Sequence, residues 1–297
     1  MSAVAVSLQG VKKRFGDTVA VDGLDLDVPA GTCVGLLGPN GAGKTTTMRM
    51  LTAQAIADEG RLEVAGYRLP EQSKQVRADI GVVPQIDNLD IELTPRENLA
   101  VFARLYRVRW RDRRAAVERA LELAGLIDRA DARLYTLSGG MRRRLLVARA
   151  LVHGPSVALL DEPTVGLDPQ VRQQLWSLID ELRAEGVTVL MSTHYIEEAE
   201  RLADTVAIMA RGRVVARGRP VDVITEHAGR EVLEVYGRPS ELREVQEWAA
   251  KEGRVARRTG LAVAIMRAEE GGPLPDGDRR AANLEDAFVL LTGEERS

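Results

Sequence analysis

The sequence of 297 residues contains one cysteine, Cys33. A disulfide framework is therefore excluded, and a reducing compartment fits. Cys33 lies in the apolar run "CVGLLG", so its thiol reads as a small core group rather than a nucleophile. No apolar run approaches the roughly 20 residues of a membrane span. The longest, such as "VTVLM" at 187–191, are strand-sized. The N-terminal stretch "MSAVAVSLQGVKKRF" lacks a signal-peptide pattern and reads as a strand. Charge of one sign is missing too: 41 basic against 44 acidic residues leave a net charge of −3. No overall field then pulls the chain toward nucleic acid or an anionic membrane. Low-complexity tracts and sustained heptads are absent. The expectation is a soluble cytoplasmic protein whose membrane contacts come through a partner.

What is present is a chain able to bury a full core, with 45% hydrophobic residues. Strand-like stretches fall at 3–9, 33–37, 80–83, 157–160, 187–191 and 205–209. Helical patterns lie between several of them, at 44–52, 112–124, 140–153 and 170–185. That alternation predicts an α/β fold around a largely parallel sheet. Near residue 225 the pattern changes. Strands are expected at 230–237 and 260–268 around a helix at 239–252, then a Gly/Pro/acidic loop. A last helix follows, with Asn283 as N-cap and an apolar face of Leu284, Phe288 and Leu291. The expected division is a main domain over 1–224 and a small accessory α/β domain over 225–297.

The buried strand "CVGLL" runs into "GPNGAGKTTTMRML", which becomes a helix. This is G-x-x-x-x-G-K-[ST] in its required strand–loop–helix setting, a phosphate cradle. The candidate nucleotide-binding residues are Gly38, Pro39, Asn40, Gly41, Ala42, Gly43, Lys44, Thr45 and Thr46. Glycines let the backbone wrap close to phosphate, and successive N–H groups form a nest. Lys44 reaches the terminal phosphates, and the Thr45 hydroxyl can ligate Mg²⁺. "VALLDEP" at 157–163 is an apolar strand ending in two carboxylates. Asp161 is placed to hold Mg²⁺, and Glu162 to polarise an attacking water. A second anion site is written at 136–151, "TLSGGMRRRLLVARAL": a hydroxyl, two glycines and a helix N-terminus. Only one P-loop exists to go with it. The basic run "MRRRL" at 141–145 reads as the polar face of that helix rather than a nucleic-acid patch.

Over about 1–225 these residues resemble the ATP-binding cassette family. Leu137, Ser138, Gly139, Gly140 and Met141 look like its signature, with Met141 where Gln is usual. Gln85 in "GVVPQ" resembles the glutamine that links Mg²⁺ to the transporter-contacting region. "VGLD" at 165–168, ending in Asp168, resembles the loop that contacts the opposite subunit. His194 in "MSTHY" is similar to the switch histidine that senses γ-phosphate. Phe15 resembles the aromatic residue that stacks on adenine. Taken alone, His194 reads as a surface-loop histidine and Phe15 as core.

The resemblance implies a P-loop NTPase core, an antiparallel β subdomain and a helical signature subdomain. It implies an ATPase using ATP and Mg²⁺, with Glu162 and His194 catalytic and Thr45, Gln85 and Asp161 around the metal. It also explains the second anion site. In this family two cassettes pack head to tail, and each signature closes over the partner's ATP. A homodimer is implied, since no site residue is degenerate. The stretch 80–106 and the tail "NLEDAFVLLTG" look like exporter cassettes of the drug-resistance and nodulation-type lipo-oligosaccharide group. Those drive a separate membrane permease of the ABC-2 type, met here through about 86–108, at the cytoplasmic face of the membrane. Nucleic acid is not an expected partner. The competing reading is a soluble cassette in a nucleic-acid- or ribosome-associated assembly.

Overall fold

The structure, a computed structural model, describes residues 3–293. The outermost ends of the two expected domains, 1–2 and 294–297, lie outside the described residues. The chain opens with β1 (Val4–Phe15), β2 (Thr18–Pro29), β3 (Cys33–Leu37) and α1 (Lys44–Leu51). It continues through β4 (Glu59–Val64), β5 (Tyr67–Leu69), α2 (Ser73–Asp79) and β6 (Ile80–Val83). A helical stretch follows, α3 (Pro95–Leu105), α4 (Arg113–Leu123) and α5 (Gly139–Leu151). Then come β7 (Val157–Asp161), α6 (Pro169–Ala184), β8 (Thr188–Thr193), α7 (Ile196–Leu202) and β9 (Thr205–Ala210). The last part holds β10 (Arg213–Gly218), α8 (Pro220–His227), β11 (Glu231–Tyr236), α9 (Pro239–Lys251), β12 (Ala256–Thr259), β13 (Ala262–Ile265), β14 (Asp278–Ala281) and α10 (Leu284–Thr292).

Three sheets result. The central one has the order β10-β9-β3-β8-β7-β6 and is parallel except at β10. Its inner strands read as unbroken apolar runs because both faces are covered: every residue of β3 and β8 is buried. One face packs on the antiparallel sheet β2-β1-β4-β5 through Val34, Leu36, Leu159 and Leu190. The other face, through Leu37, Leu160, Val189 and Ile208, packs on the helices. α3 begins with a complete capping box. The Thr94 hydroxyl accepts from the Glu97 amide at 3.2 Å, and the Glu97 carboxylate accepts from the Thr94 amide at 2.8 Å.

The third sheet, β12-β13-β11-β14, is antiparallel. The expected strand at 260–268 is shorter, β13 alone, and β12 lies wholly before it. Gly260 turns at φ +58° between β12 and β13, and β13 stops at Ile265. Alternate residues of this sheet serve two cores. Leu233, Val235, Val263 and Ile265 pack on α9 through Leu242. Val232 and Ala264 face the other way and join the main core, as do Leu284, Ala287 and Phe288 of α10. α10 itself lies against α7, α8 and β9.

One fully buried carboxylate anchors α10. Asp286 receives Arg257 at 2.9 Å and Arg280 at 2.7 and 3.0 Å, and it closes a capping box with Asn283. Burial works against its charge, but the two guanidiniums outweigh that and hold the carboxyl below its ordinary range. Its stabilisation is therefore fully present above the unfolded-chain value of about 3.9 and is lost as pH falls through the lower folded value. Asp286→Ala should leave Arg257, whose side chain is 10% exposed, unpaired, while Arg280 keeps Glu234 at 2.8 Å, and cost about 3–5 kcal/mol. Urea unfolding at neutral pH would show this, with the gap to wild type narrowing in acid. A loss under about 1 kcal/mol would mean that the triad does not hold the helix.

Candidate functional site

Four parallel strands end side by side, and each hands a different group to the space beyond its carboxyl end. β3 leads into the phosphate loop, β7 ends in Asp161 and Glu162, β8 delivers His194, and β6 delivers Gln85. The loop has glycines for two separate reasons. A Cβ on Gly38 would lie 2.5 Å from the Met209 carbonyl, and one on Gly43 2.5 Å from that of Ala20. Gly41 and Gly43 also take φ +82° and +105°, where side chains are strained. α1 then starts at Lys44, whose ammonium folds back over the loop. It donates to the carbonyls of Gly38 at 2.6 Å and Pro39 at 2.9 Å and is 4% exposed. Ala42 is buried, Pro39, Thr45 and Thr46 are half-buried, and Asn40 is exposed at the rim.

Glu162 is the hub. Its Oε2 accepts from the Gln85 amide at 3.0 Å, and its Oε1 lies 3.2 Å from His194 Nδ1 and 3.9 Å from Lys44 Nζ. It is 6% exposed, yet its backbone sits at φ +46°, a conformation that costs a non-glycine residue on the order of 1–3 kcal/mol and clusters at functional sites. Ser192 maintains it: the Glu162 amide donates to the Ser192 hydroxyl and carbonyl, both at 3.1 Å, while that hydroxyl donates to Asp161 at 2.5 Å. The sequence reading missed Ser192, whose only signal is its place two residues before His194 on the neighbouring strand.

A cavity of about 150 Å³ beside this hub is lined by Thr45, Gln85 and Asp161. Burial pushes the Asp161 carboxyl above its ordinary range, against the pull of the Ser192 hydrogen bond. A hydroxyl, an amide oxygen and one carboxylate are hard oxygen donors. They suit Mg²⁺, which keeps waters and takes substrate phosphates as ligands. The described residues hold no cluster of three or more His, Cys, Asp or Glu that would cage a metal without substrate.

Phe15 is half-exposed at the turn from β1 to β2, with the Lys13 ammonium 5.3 Å above its ring. β2 runs from that turn to the Gly43 end of the phosphate loop, where its Ala20 and Val21 touch Gly43. The signature residues stand apart. Ser138 caps α5, its hydroxyl accepting from the Met141 amide at 3.2 Å. Leu137 is buried, Met141 half-buried, and Gly139 open to solvent. A Cβ on Gly140 would strike Val171 at 2.5 Å. The Val171 amide is in turn held by Asp168, the N-cap of α6, at 2.9 Å. The hydrogen bond of the Ser138 hydroxyl stays within its own helix. The basic run 141–145 needs correction. Arg142 and Arg144 are half-buried, but Arg143 is 8% exposed and faces the backbone of 84–85 and 161–163, not solvent.

This arrangement defines a nucleotide-binding cassette, and similarity to known proteins agrees. The family model described as ABC transporter matches residues 21–165. A dimeric ATP-binding cassette solved in a post-hydrolysis state with ADP and Pi has TM-score 0.65 and 28% identity, covering 72% of this chain and 98% of that one. CbiO1 of Clostridium perfringens, part of the ABC transporter complex cbiONQ, has TM-score 0.70 and 26% identity, covering 84% of this chain and 97% of that one. The chain belongs to the ATPase subunits of ABC transporters, in the branch of the Nod factor export ATP-binding proteins. Nod factor export ATP-binding protein I of Burkholderia orbicola (strain AU 1054) is 44% identical over 301 residues, 99% of each chain. That of Rhizobium meliloti is 44% identical over 300 residues, 99% of this chain and 89% of the relative.

Proposed function

We propose that this ATPase drives export by closing, as a head-to-tail pair of identical cassettes, over two ATP molecules. Closure moves a separate membrane permease of the ABC-2 type, and hydrolysis resets the pair. In this reading Lys44 and the loop amides of 38–46 grip the phosphates, and Phe15 stacks on adenine. Thr45, Gln85 and Asp161 would hold Mg²⁺, which shields phosphate charge when bound. Glu162 orients and deprotonates the attacking water, and His194 contacts the γ-phosphate. Ser138, Gly139 and Gly140 serve the partner's nucleotide, with Asp168 at the seam.

The observation that carries the export reading is the end-to-end likeness to Nod factor export ATP-binding proteins. By that likeness the cargo is a drug-like or lipid/oligosaccharide compound. Among the described residues no helix is long and apolar enough to cross a membrane, so the permease supplies the membrane-spanning part. Its docking face is the exposed apolar set of Ile86, Ile91, Val101 and Leu105. Leu99 of the same stretch is buried in the core, and Leu93, Phe102 and Tyr106 are half-buried. The accessory residues 225–297 are, in this reading, a module fastened to the cassette by α10. Purification from detergent-solubilised membranes should yield the chain with an all-helical membrane protein. Recovery free of any membrane protein, with ATPase activity intact, would reject the export reading.

A further inference from the structure

Arg143 makes the most concentrated set of hydrogen bonds near the site, and nothing in the function above uses it. It lies on α5, five residues beyond Ser138. Its Nε donates to the Pro163 carbonyl at 2.6 Å. Nη1 reaches the carbonyls of Pro84 at 2.8 Å and Gln85 at 3.3 Å. Nη2 reaches those of Glu162 at 2.9 Å and Asp161 at 3.3 Å. All five acceptors are backbone, and among the described residues no carboxylate pairs with it. A buried cation without a counter-ion is costly. Only a planar fork of fixed donors can reach carbonyls on two separate loops, and a lysine ammonium cannot.

The carbonyls it holds belong to the peptides that carry Gln85 and Glu162, the two groups hydrogen-bonded to each other at 3.0 Å. Glu162 is held at φ +46°, a conformation that persists only when its surroundings enforce it. Arg143 supplies that enforcement from one side and Ser192 from the other. The same α5 starts at the signature. In the head-to-tail reading, on which this argument rests, the signature grips the partner's ATP while Gln85 and Glu162 act on the chain's own.

We propose that Arg143 is a positioning residue that ties the two ATP sites of the dimer together. When the signature end of α5 moves onto the partner's nucleotide, Arg143 carries that displacement to the backbone that aims Glu162 and Gln85. Each site then reaches its hydrolytic geometry only when the other is occupied. Such linkage is a coupling free energy between two sites and shows as cooperativity.

The test uses the full chain in complex with its membrane partner. ATPase rate is measured against ATP concentration for wild type, Arg143→Lys and Arg143→Met, with nucleotide affinity measured separately. Wild type should be cooperative. Arg143→Lys keeps the charge and loses the fork, so kcat should fall about 10–100-fold, the scale set by ångström-sized misplacement of a catalytic group. Its Hill coefficient should fall to about 1, and ATP affinity should stay within about twofold because the phosphate loop is untouched. Arg143→Met should do the same more strongly. Should the methionine variant fail to fold, the lysine variant decides alone. A lower kcat with unchanged cooperativity would mean that Arg143 shapes only its own site, which overturns the proposal. So would a non-cooperative wild type, or an Arg143→Lys protein with wild-type kinetics. The head-to-tail reading itself fails by a different route, in the dimerisation of signature variants.

Discussion

Lys44→Ala should weaken ATP binding by roughly 10–150-fold, the equivalent of losing a hydrogen bond to a charged group, about 1.5–3 kcal/mol. The Lys44 ammonium bonds the loop carbonyls of Gly38 and Pro39 and lies 3.9 Å from Glu162. Bound phosphates would take up those donor positions. Alanine removes the charge and also the tie that keeps the loop wound before ATP arrives, so preorganisation is lost as well. Turnover should fall further than affinity, because Glu162, buried at 6% exposure, loses its nearest fixed cation. Titration calorimetry with ATP on the folded variant measures the first effect. Unchanged affinity together with normal turnover would remove Lys44 from the phosphate site.

Much of this site could be read before the fold was seen because its chemistry sits where apolar strands stop. "CVGLL", "VALL" and the strand before "STH" are buried on both faces, and each hands its first polar residues to the crevice. Composition marks such junctions whatever the tertiary arrangement. β1 shows the opposite case. The strand-like pattern is placed at 3–9, within an N-terminal run through "KKRF" that reads as a strand as a whole. β1 runs on to Phe15 because its second half pairs with β2 across the turn at 16–17, Lys13 with Val21, Arg14 with Val19 and Phe15 with Thr18. Lys12 and Lys13 add surface ion pairs at 2.8 Å to Glu59 and Asp58, long-range contacts that leave no local trace. The capping box of α3 is a local signal, written in "TPRE". Arg143 is different again. Helical spacing places three consecutive arginines around α5, and only the loops brought over it from 84–85 and 161–163 decide which one is buried.

Glu162→Gln should cut turnover by roughly 10²–10⁴-fold, the usual cost of removing a general base, and should trap the closed pair. The amide keeps the size of the carboxylate and can still meet His194 at one end and Gln85 at the other. It cannot accept a proton from water. The phosphate loop, Thr45 and Asp161 are untouched, so ATP still binds and the cassettes still close. With cleavage blocked, the ATP-bound dimer accumulates in size-exclusion chromatography. Adding Ser138→Arg should abolish that dimer, because a long cation at the signature obstructs the partner's γ-phosphate. Ser138 also caps α5 through the Met141 amide, so this change costs about 1 kcal/mol of helix stability by itself. Ser138→Asn, which keeps a capping group at that position, separates the two effects: its fold should match wild type while its dimer is weakened. Where the isolated chain does not dimerise, the same comparison is made in the membrane complex. A folded Glu162→Gln, Ser138→Arg protein that still forms the ATP-dependent dimer would show that "LSGGM" does not face a partner's nucleotide, and the head-to-tail arrangement would fall.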